Sequence, residues 1–209
     1  MLKPSPYVPS VSAVLAQLVS ETFDPEYIAL VQGNREVNGA LLEMRWDMIF
    51  FTGSPDLGKK VMAAAARNLT PVVLELGGKS PCIIDRSADI AVAAKRIAWG
   101  KTLNAGQTCI APDYILIHPD IKEEFVKAFG NEIRALHGED IKEHRHYVRM
   151  VSDRAFERIS KYLQDGNILY GGRMDASERF IEPTLLEVTD MSVPVMNEEI
   201  FGPVFPVIV

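Results

Sequence analysis

Three groups of residues in this chain are spaced for chemistry. Cys109 stands in Asn104-Ala105-Gly106-Gln107-Thr108-Cys109-Ile110-Ala111-Pro112-Asp113-Tyr114, a small polar turn that leads into a β-prone run. A thiol at such a junction can be held by regular structure on one side while its sulfur faces a cleft fed by loops, the setting of a nucleophile. The plainer alternative is a small buried hydrophobe, the usual state of a free cysteine. Glu75 closes the apolar run Val72-Val73-Leu74, 34 residues before Cys109. A carboxylate at the end of a buried strand is partly desolvated, with the raised pKa a general base or acid needs; a solvated cap or ion-pair partner is the bland reading. Gly53-Ser54-Pro55-Asp56-Leu57-Gly58 follows a β-prone run and opens a helix. Free N–H groups and the helix dipole favour an anion there, although Gly, Ser and Pro also serve as ordinary turn and cap residues.

The elements that position these groups follow from periodicity and turn chemistry. Residues 11–20 carry Val11, Val14, Leu15, Leu18 and Val19 at helical spacing, and residues 28–31 read as a short strand before Gly33. Asn34 can cap a helix to about Met44, residues 48–51 form a strand, and Ser54 and Pro55 suit the N-cap and first position of a helix over 55–68. With a strand over 71–76, the first 76 residues alternate strand and helix, as a parallel sheet with crossover helices requires. Gly77-Gly78 is a natural hinge, which places domain boundaries at 1–76 and 77–209. The second part reads as a strand at 82–85, a helix at 88–100 with Ile90, Ala94, Ile97 and Ala98 inward, the cysteine turn, a strand at 114–118 and a helix at 121–136. Residues 137–149 are charged and irregular and read as a surface loop; Ser152 opens a helix to about Gln164, and strands follow at 168–170, 180–188 and 204–209.

Composition removes several classes of function. The chain has 209 residues, 47% of them hydrophobic, enough for one sizeable core or two small ones. Its formal charge of −6, with basic residues scattered among acids, gives no polyanion-binding footprint, so nucleic acid is not an expected partner. No apolar run reaches the roughly 18 residues of a membrane span, and no signal-peptide core follows Met1; a soluble cytoplasmic protein is the default expectation, with an anchor beyond Val209 left open. Two cysteines, Cys82 and Cys109, make no disulfide framework, and His118, His137, His144 and His146 have no paired metal-ligand spacing. Reduced thiols and no metal are expected, with Cys82 as inert core. None of the histidines sits in a motif that would make Cys109 part of a Cys–His hydrolase. Gly53 to Lys59 nearly spells a P-loop, but Lys60 stands where a Ser or Thr would hold magnesium, which weakens a nucleotide-hydrolase reading.

The segment from Asn104 to Tyr114 closely resembles the active-site segment of the aldehyde dehydrogenase superfamily, and its Ala-Pro-Asp-Tyr ending resembles the class 3 branch, which acts on fatty and aromatic aldehydes. Leu74-Glu75-Leu76-Gly77-Gly78-Lys79-Ser80-Pro81 is similar to the family's second active-site segment, at close to the family's separation from the cysteine. Phe51-Thr52-Gly53-Ser54 resembles the cofactor turn, Lys3-Pro4-Ser5 the adenosine-ribose contact, and Glu198-Glu199-Ile200-Phe201-Gly202-Pro203 the loop that reaches the nicotinamide end. The five segments stand in family order across essentially the whole chain.

The resemblance implies an α/β fold with a partial Rossmann-like, NAD(P)-binding domain followed by part of an α/β catalytic domain, truncated at both ends. It implies Cys109 as nucleophile through a thiohemiacetal and a thioester, with the Cys109 N–H in the oxyanion hole and Glu75 activating water. Lys3, Gly53, Ser54, Gly58, Leu76, Glu199 and Phe201 become cofactor contacts, Glu199 at the nicotinamide ribose and Phe201 beside the ring. Pro6 stands where the family often has a ribose-gripping Glu, so NAD and NADP both stay open. An aldehyde is the expected substrate, and full-length family members form homo-oligomers. The family's oxyanion asparagine is expected upstream of Lys3, so impaired catalysis, or a folded remnant acting only by association, stands as the alternative.

Overall fold

Four helices begin at a side chain that caps them. Asn34 accepts from the Glu36 N–H, Ser54 from Leu57, Asp89 from Val92 and Ser152 from Ala155, each satisfying a donor that a first helical turn leaves free. The computed structural model describes residues 1–209, which divide into two units, Met1–Leu76 and Gly77–Val209.

The first unit runs α1 (Pro9–Thr22), α2 (Arg35–Glu43), β1 (Ile49–Thr52), α3 (Pro55–Ala66) and β2 (Val72–Glu75). β1 and β2 pair in parallel from Ile49↔Val72 to Thr52↔Glu75, with α3 as the crossover that parallel pairing demands. α3 buries Gly58, Val61, Ala64 and Ala65, one face of a helix. One expectation changes here. Residues 28–31 form no strand: Leu30 makes a single parallel bridge with Leu2, through Leu2 N–H to Ala29 and Val31 N–H to Leu2, and Pro4 has no N–H with which to extend a ladder. The apolar stripe of α1 is solvent-facing, with Val11 56%, Val14 65% and Leu18 58% exposed.

The second unit comprises β3 (Ser80–Ile84), α4 (Ile90–Thr102), β4 (Pro112–Ile117), α5 (Lys122–His137), α6 (Asp153–Tyr162), β5 (Asn167–Tyr170), β6 (Met174–Asp175), β7 (Phe180–Ile181), β8 (Thr184–Glu187), α7 (Pro194–Asn197) and β9 (Val204–Ile208). A five-stranded sheet has the order β3-β4-β9-β8-β5. β3, β4, β9 and β8 pair in parallel, and β5 runs antiparallel to β8. Strand alternation divides its side chains between two cores. Leu185, Phe205 and Val207 join Ala94, Ile97, Ala98, Phe125, Phe129 and Ile133 of α4 and α5. Leu186 and Val204 join Ile159 and Tyr162 of α6. A sheet covered on both faces explains why β9 is apolar throughout.

Two further expectations are corrected. The run 180–188 is split into β7, which pairs with β6, and β8, which belongs to the large sheet, because Pro183 interrupts the ladder. Residues 137–149 are not merely a surface loop: Ile141 and Tyr147 are buried in the α4/α5 core, and the Tyr147 hydroxyl donates to the Ile181 carbonyl at 2.8 Å.

Candidate functional site

The cysteine turn is built by the way α4 ends. α4 buries Ala94, Ile97, Ala98, Lys101 and Thr102, and after Leu103 the backbone tightens into a 3-10 turn, Leu103–Gly106. Asn104 and Ala105 adopt left-handed conformations at φ 51° and 52°, followed by Gly106 at 71°. Two non-glycine residues in this region cost of order 1–3 kcal/mol each, and persist only where the surroundings enforce them. Gln107 does so. Its buried amide donates to the carbonyls of Asn104 (3.0 Å) and Arg149 (3.2 Å) and accepts from the Val151 N–H at 2.9 Å. The Asn104 side chain answers with a bond to the Gln107 carbonyl at 2.9 Å. Cys109 emerges exposed beyond this turn, and its N–H donates to no backbone carbonyl. Cys82 is half-buried, and burial pushes its thiol up.

Two other segments of the second unit meet the cysteine turn. A Cβ added to Gly78 would lie 3.5 Å from the Cys109 carbonyl oxygen, and one added to Gly106 would collide with the Gly202 carbonyl. Glycine at 106 is thus required by both φ and space. A Cβ on Gly77 would collide with the Glu199 carboxylate, which accepts from the Gly78 N–H at 3.2 Å. Burial raises the Glu199 pKa, against the opposing pull of that N–H. Phe201 is 38% exposed and left-handed at φ 49°. Cys109, Gly77-Gly78 and the Glu199–Gly202 loop therefore converge.

The remaining candidates lie in the first unit. Gly53 and Ser54 are the only residues between β1 and α3, and the Gly53 N–H continues the ladder to the Glu75 carbonyl at 3.0 Å. Gly58 is buried against Leu76, whose Cδ2 would lie 2.8 Å from an added Cβ. Gly58 and Lys59 are inside α3, so no loop is present to wrap phosphates and the P-loop alternative fails. Lys3 donates to the Pro4 carbonyl at 2.8 Å, and burial lowers its pKa. Glu75 ends β2 on its exposed face, so the desolvation expected of it is absent; the two-stranded β1–β2 sheet alternates half-buried and exposed positions and leaves Glu75 outward.

Charged side chains to which no motif assigns a role hold the site together. Asp113, 3% exposed, and Lys101, 1% exposed, are both buried. The Lys79 ammonium donates to Asp113 Oδ2 at 2.6 Å and to the carbonyls of Val195 and Glu198, both at 2.9 Å. The signal is periodicity: Lys101 lies on the Ala94-Ala98 stripe of α4, and Asp113 shares the buried face of β4 with Ile115 and Ile117. No group of three or more His, Cys, Asp or Glu side chains is placed to hold a metal ion. No helix is long and apolar enough to cross a membrane.

The family model for the aldehyde dehydrogenase family matches residues 1–209. A 4,4'-diaponeurosporen-aldehyde dehydrogenase of Staphylococcus aureus is 44% identical over all of this chain and 46% of its own length. The rat aldehyde dehydrogenase named dimeric NADP-preferring is 46% identical with the same coverage. Among solved structures, the substrate-bound state of Staphylococcus aureus AldH superposes with a TM-score of 0.93 at 43% identity, over 99% of this chain and 46% of that one. Betaine aldehyde dehydrogenase from the same organism, in complex with NAD+, superposes at 0.83 and 31% identity, over 98% of this chain and 43% of that one. The chain is a member of the aldehyde dehydrogenase family, a family of NAD(P)-dependent oxidoreductases, and spans about half the length of the relatives it matches.

Proposed function

We propose that this chain carries the thiol and the cofactor turn of an NAD(P)-dependent aldehyde dehydrogenase that oxidises an aldehyde to a carboxylic acid. The observation that supports this most directly is the exposed Cys109 on a strained turn against Gly78 and the Glu199–Gly202 loop, in a chain that matches the family along its whole length. The thiolate, not the thiol, is the nucleophile, so a base must take the Cys109 proton; Glu75, exposed at the end of the Val72–Glu75 strand, is assigned that task and the later activation of water. The Cys109 thiolate adds to the aldehyde carbon, and the carbonyl oxygen becomes an oxyanion received by the free Cys109 N–H. The nicotinamide cofactor, when bound, supplies the hydride acceptor through which the thiohemiacetal becomes a thioester on Cys109. Water deprotonated by Glu75 then attacks the thioester carbon, the thiolate leaves, and the acid is released.

The residues present suit that cofactor. At the α3 N-terminus the Gly53 N–H is spent on the Glu75 carbonyl and the Leu57 N–H on Ser54, which leaves the Ser54 and Asp56 N–H groups and the helix dipole to favour an anion, and Gly58 allows the close approach of Leu76. The half-buried Glu199 carboxylate suits ribose hydroxyls, and Phe201 offers a flat apolar face to a nicotinamide ring. Lys3 is assigned to the adenosine ribose. One relative is named for NADP preference and another is complexed with NAD+, and we assign this chain one or the other.

The test is reduction of NAD and of NADP with a medium-chain or aromatic aldehyde by the wild type and by Cys109→Ala. Turnover that vanishes in the variant supports the reading; a folded wild type that turns over neither cofactor refutes it for this chain. The exposed apolar stripe of α1 favours a second reading, a chain that acts only in association with another. Sedimentation of the inactive but folded protein as a defined assembly is the outcome that reading requires.

A further inference from the structure

Four backbone polar groups of residues 198–200 are held by buried or half-buried charges. The Ile200 N–H donates to Asp113 Oδ1 at 2.9 Å, and Asp113 Oδ2 accepts from the Lys79 ammonium at 2.6 Å. The other two Lys79 protons go to the Val195 and Glu198 carbonyls, so all three donors of the ammonium are used. From the far side, Arg158 of α6 donates to the Glu199 carbonyl at 3.3 Å and to the Ile200 carbonyl at 2.6 Å. Glu199 is left with its side chain to dispose, and the Gly78 N–H fixes one carboxylate oxygen. A loop with no regular structure between α7 and β9 is thus tied to the first residues of β4, to the Gly78 turn and to α6.

We propose that Asp113 is a positioning residue: by holding the Lys79 ammonium and the Ile200 N–H together, it fixes the Glu199 carboxylate where it meets the cofactor. The role rests on the cofactor reading of Glu199 given above. Its logic is that a carboxylate meant to grip two ribose hydroxyls must be held in one orientation before the ligand arrives. Asp113 is suited to the task because both its oxygens are committed at under 3 Å and it sits on a regular strand rather than a loop. Lys101 supports it one step further back, donating to the carbonyl of Pro112, the preceding residue, at 3.0 Å.

The experiment compares Asp113→Asn, Lys79→Met and Glu199→Gln with the wild type in the 209-residue chain, with two readouts. The first is the Gly78 amide in 15N spectra, whose shift titrates with the Glu199 carboxylate it touches and whose hydrogen exchange reports that bond. The second is the dissociation constant for NAD and NADP. In Asp113→Asn, the Gly78 titration is expected to be lost as it is in Glu199→Gln, and Gly78 exchange to rise about tenfold, the loss of one charge-assisted hydrogen bond, while the Ile115 amide in the core stays unchanged. Cofactor affinity should fall to the Glu199→Gln level. A folded Asp113→Asn chain that keeps the Gly78 titration overturns the proposal. If Asp113→Asn does not fold, Lys79→Met, which removes the more accessible partner, decides on the same signal. A Glu199→Gln chain that binds cofactor like the wild type overturns the reading of Glu199, and with it the purpose assigned to Asp113. The Gly78 signal by itself decides whether Asp113 holds the carboxylate.

Discussion

Replacing Lys101 with methionine tests how a cation can be kept in the core beneath the cysteine turn. Lys101 is 1% exposed, donates to the Pro112 carbonyl at 3.0 Å and stands 4.8 Å from the Phe205 ring centroid. Burial pulls its pKa from 10.5 to about 8, with Asp113 opposing and Lys79 adding to the fall. Between those two values the unfolded chain keeps a proton that the folded chain has shed. Stability due to this group therefore rises with pH across that window and is lowest below it. The fall from 10.5 to about 8 is worth roughly 3 kcal/mol. At neutral pH methionine removes that penalty, but it forfeits the Pro112 bond, about 1 kcal/mol, and the attraction to the ring, about 1–2 kcal/mol. Lys101→Met should then lie within about 1 kcal/mol of the wild type at neutral pH, where breaking a buried ion pair would cost about 3–5 kcal/mol. Toward about pH 10 the wild type should pull ahead by up to roughly 3 kcal/mol. Equilibrium urea unfolding of both chains at the two pH values measures this, and the difference between them cancels the other lysines. Parallel pH dependence, or a loss of several kcal/mol at both values, would show that Lys101 is not a charge held against a desolvation cost.

The cysteine turn, the two thiols and the histidine pair give three more expectations. Gly106→Ala places a Cβ in a left-handed residue, about 1–2 kcal/mol, and against the Gly202 carbonyl, so urea unfolding should show a loss of at least about 2 kcal/mol; a neutral substitution would mean the turn is not held as described. Iodoacetamide should label the exposed Cys109 in the folded chain near neutral pH and the half-buried Cys82, its thiol pushed up by burial, only on unfolding; peptide mass spectrometry showing equal labelling counts against this geometry. Burial, and secondarily His144, lowers the His137 pKa, and the His137 Nε2 is buried without a partner. The neutral ring is the one the fold accepts, so stability should fall as pH drops below about 6.5. His137→Leu should flatten that slope, and thermal melts between about pH 5 and 7.5 would show an unchanged slope if His137 is not responsible.

Much of the scaffold was legible because local chemistry and tertiary structure agree. Asn34, Ser54 and Ser152 cap helices where their residue types predict, and Ala94, Ile97 and Ala98 are buried at the helical spacing that marked them. Failures occur where a pattern needed a partner that sequence does not reveal. Residues 28–31 have β-prone side chains but only Leu2 to pair with. The stripe on α1 is helical, yet periodicity says nothing of what covers it. At the candidate site, residue type misled more than spacing did. No motif assigns Lys101 or Asp113 a role, although their positions on α4 and β4 are inward, and Gln107, part of a small polar turn in the sequence, is a buried amide with every side-chain bond directed at backbone. Glu75 erred in the opposite sense: its run of apolar neighbours suggested burial, and strand alternation places it outward.

The near-contact of Gly106 with the Gly202 carbonyl joins two loops whose centres lie almost a hundred residues apart in the chain. Neither has slack, because Gly106 has no side chain to give up and the Gly202 position is crowded in turn by Ile159. The two loops are therefore a single inherited unit. A chimera that takes the cysteine turn from one relative and the Glu199–Gly202 loop from another joins surfaces shaped for different neighbours. Crossover points placed between them should yield fewer folded progeny than those placed so that both loops travel together.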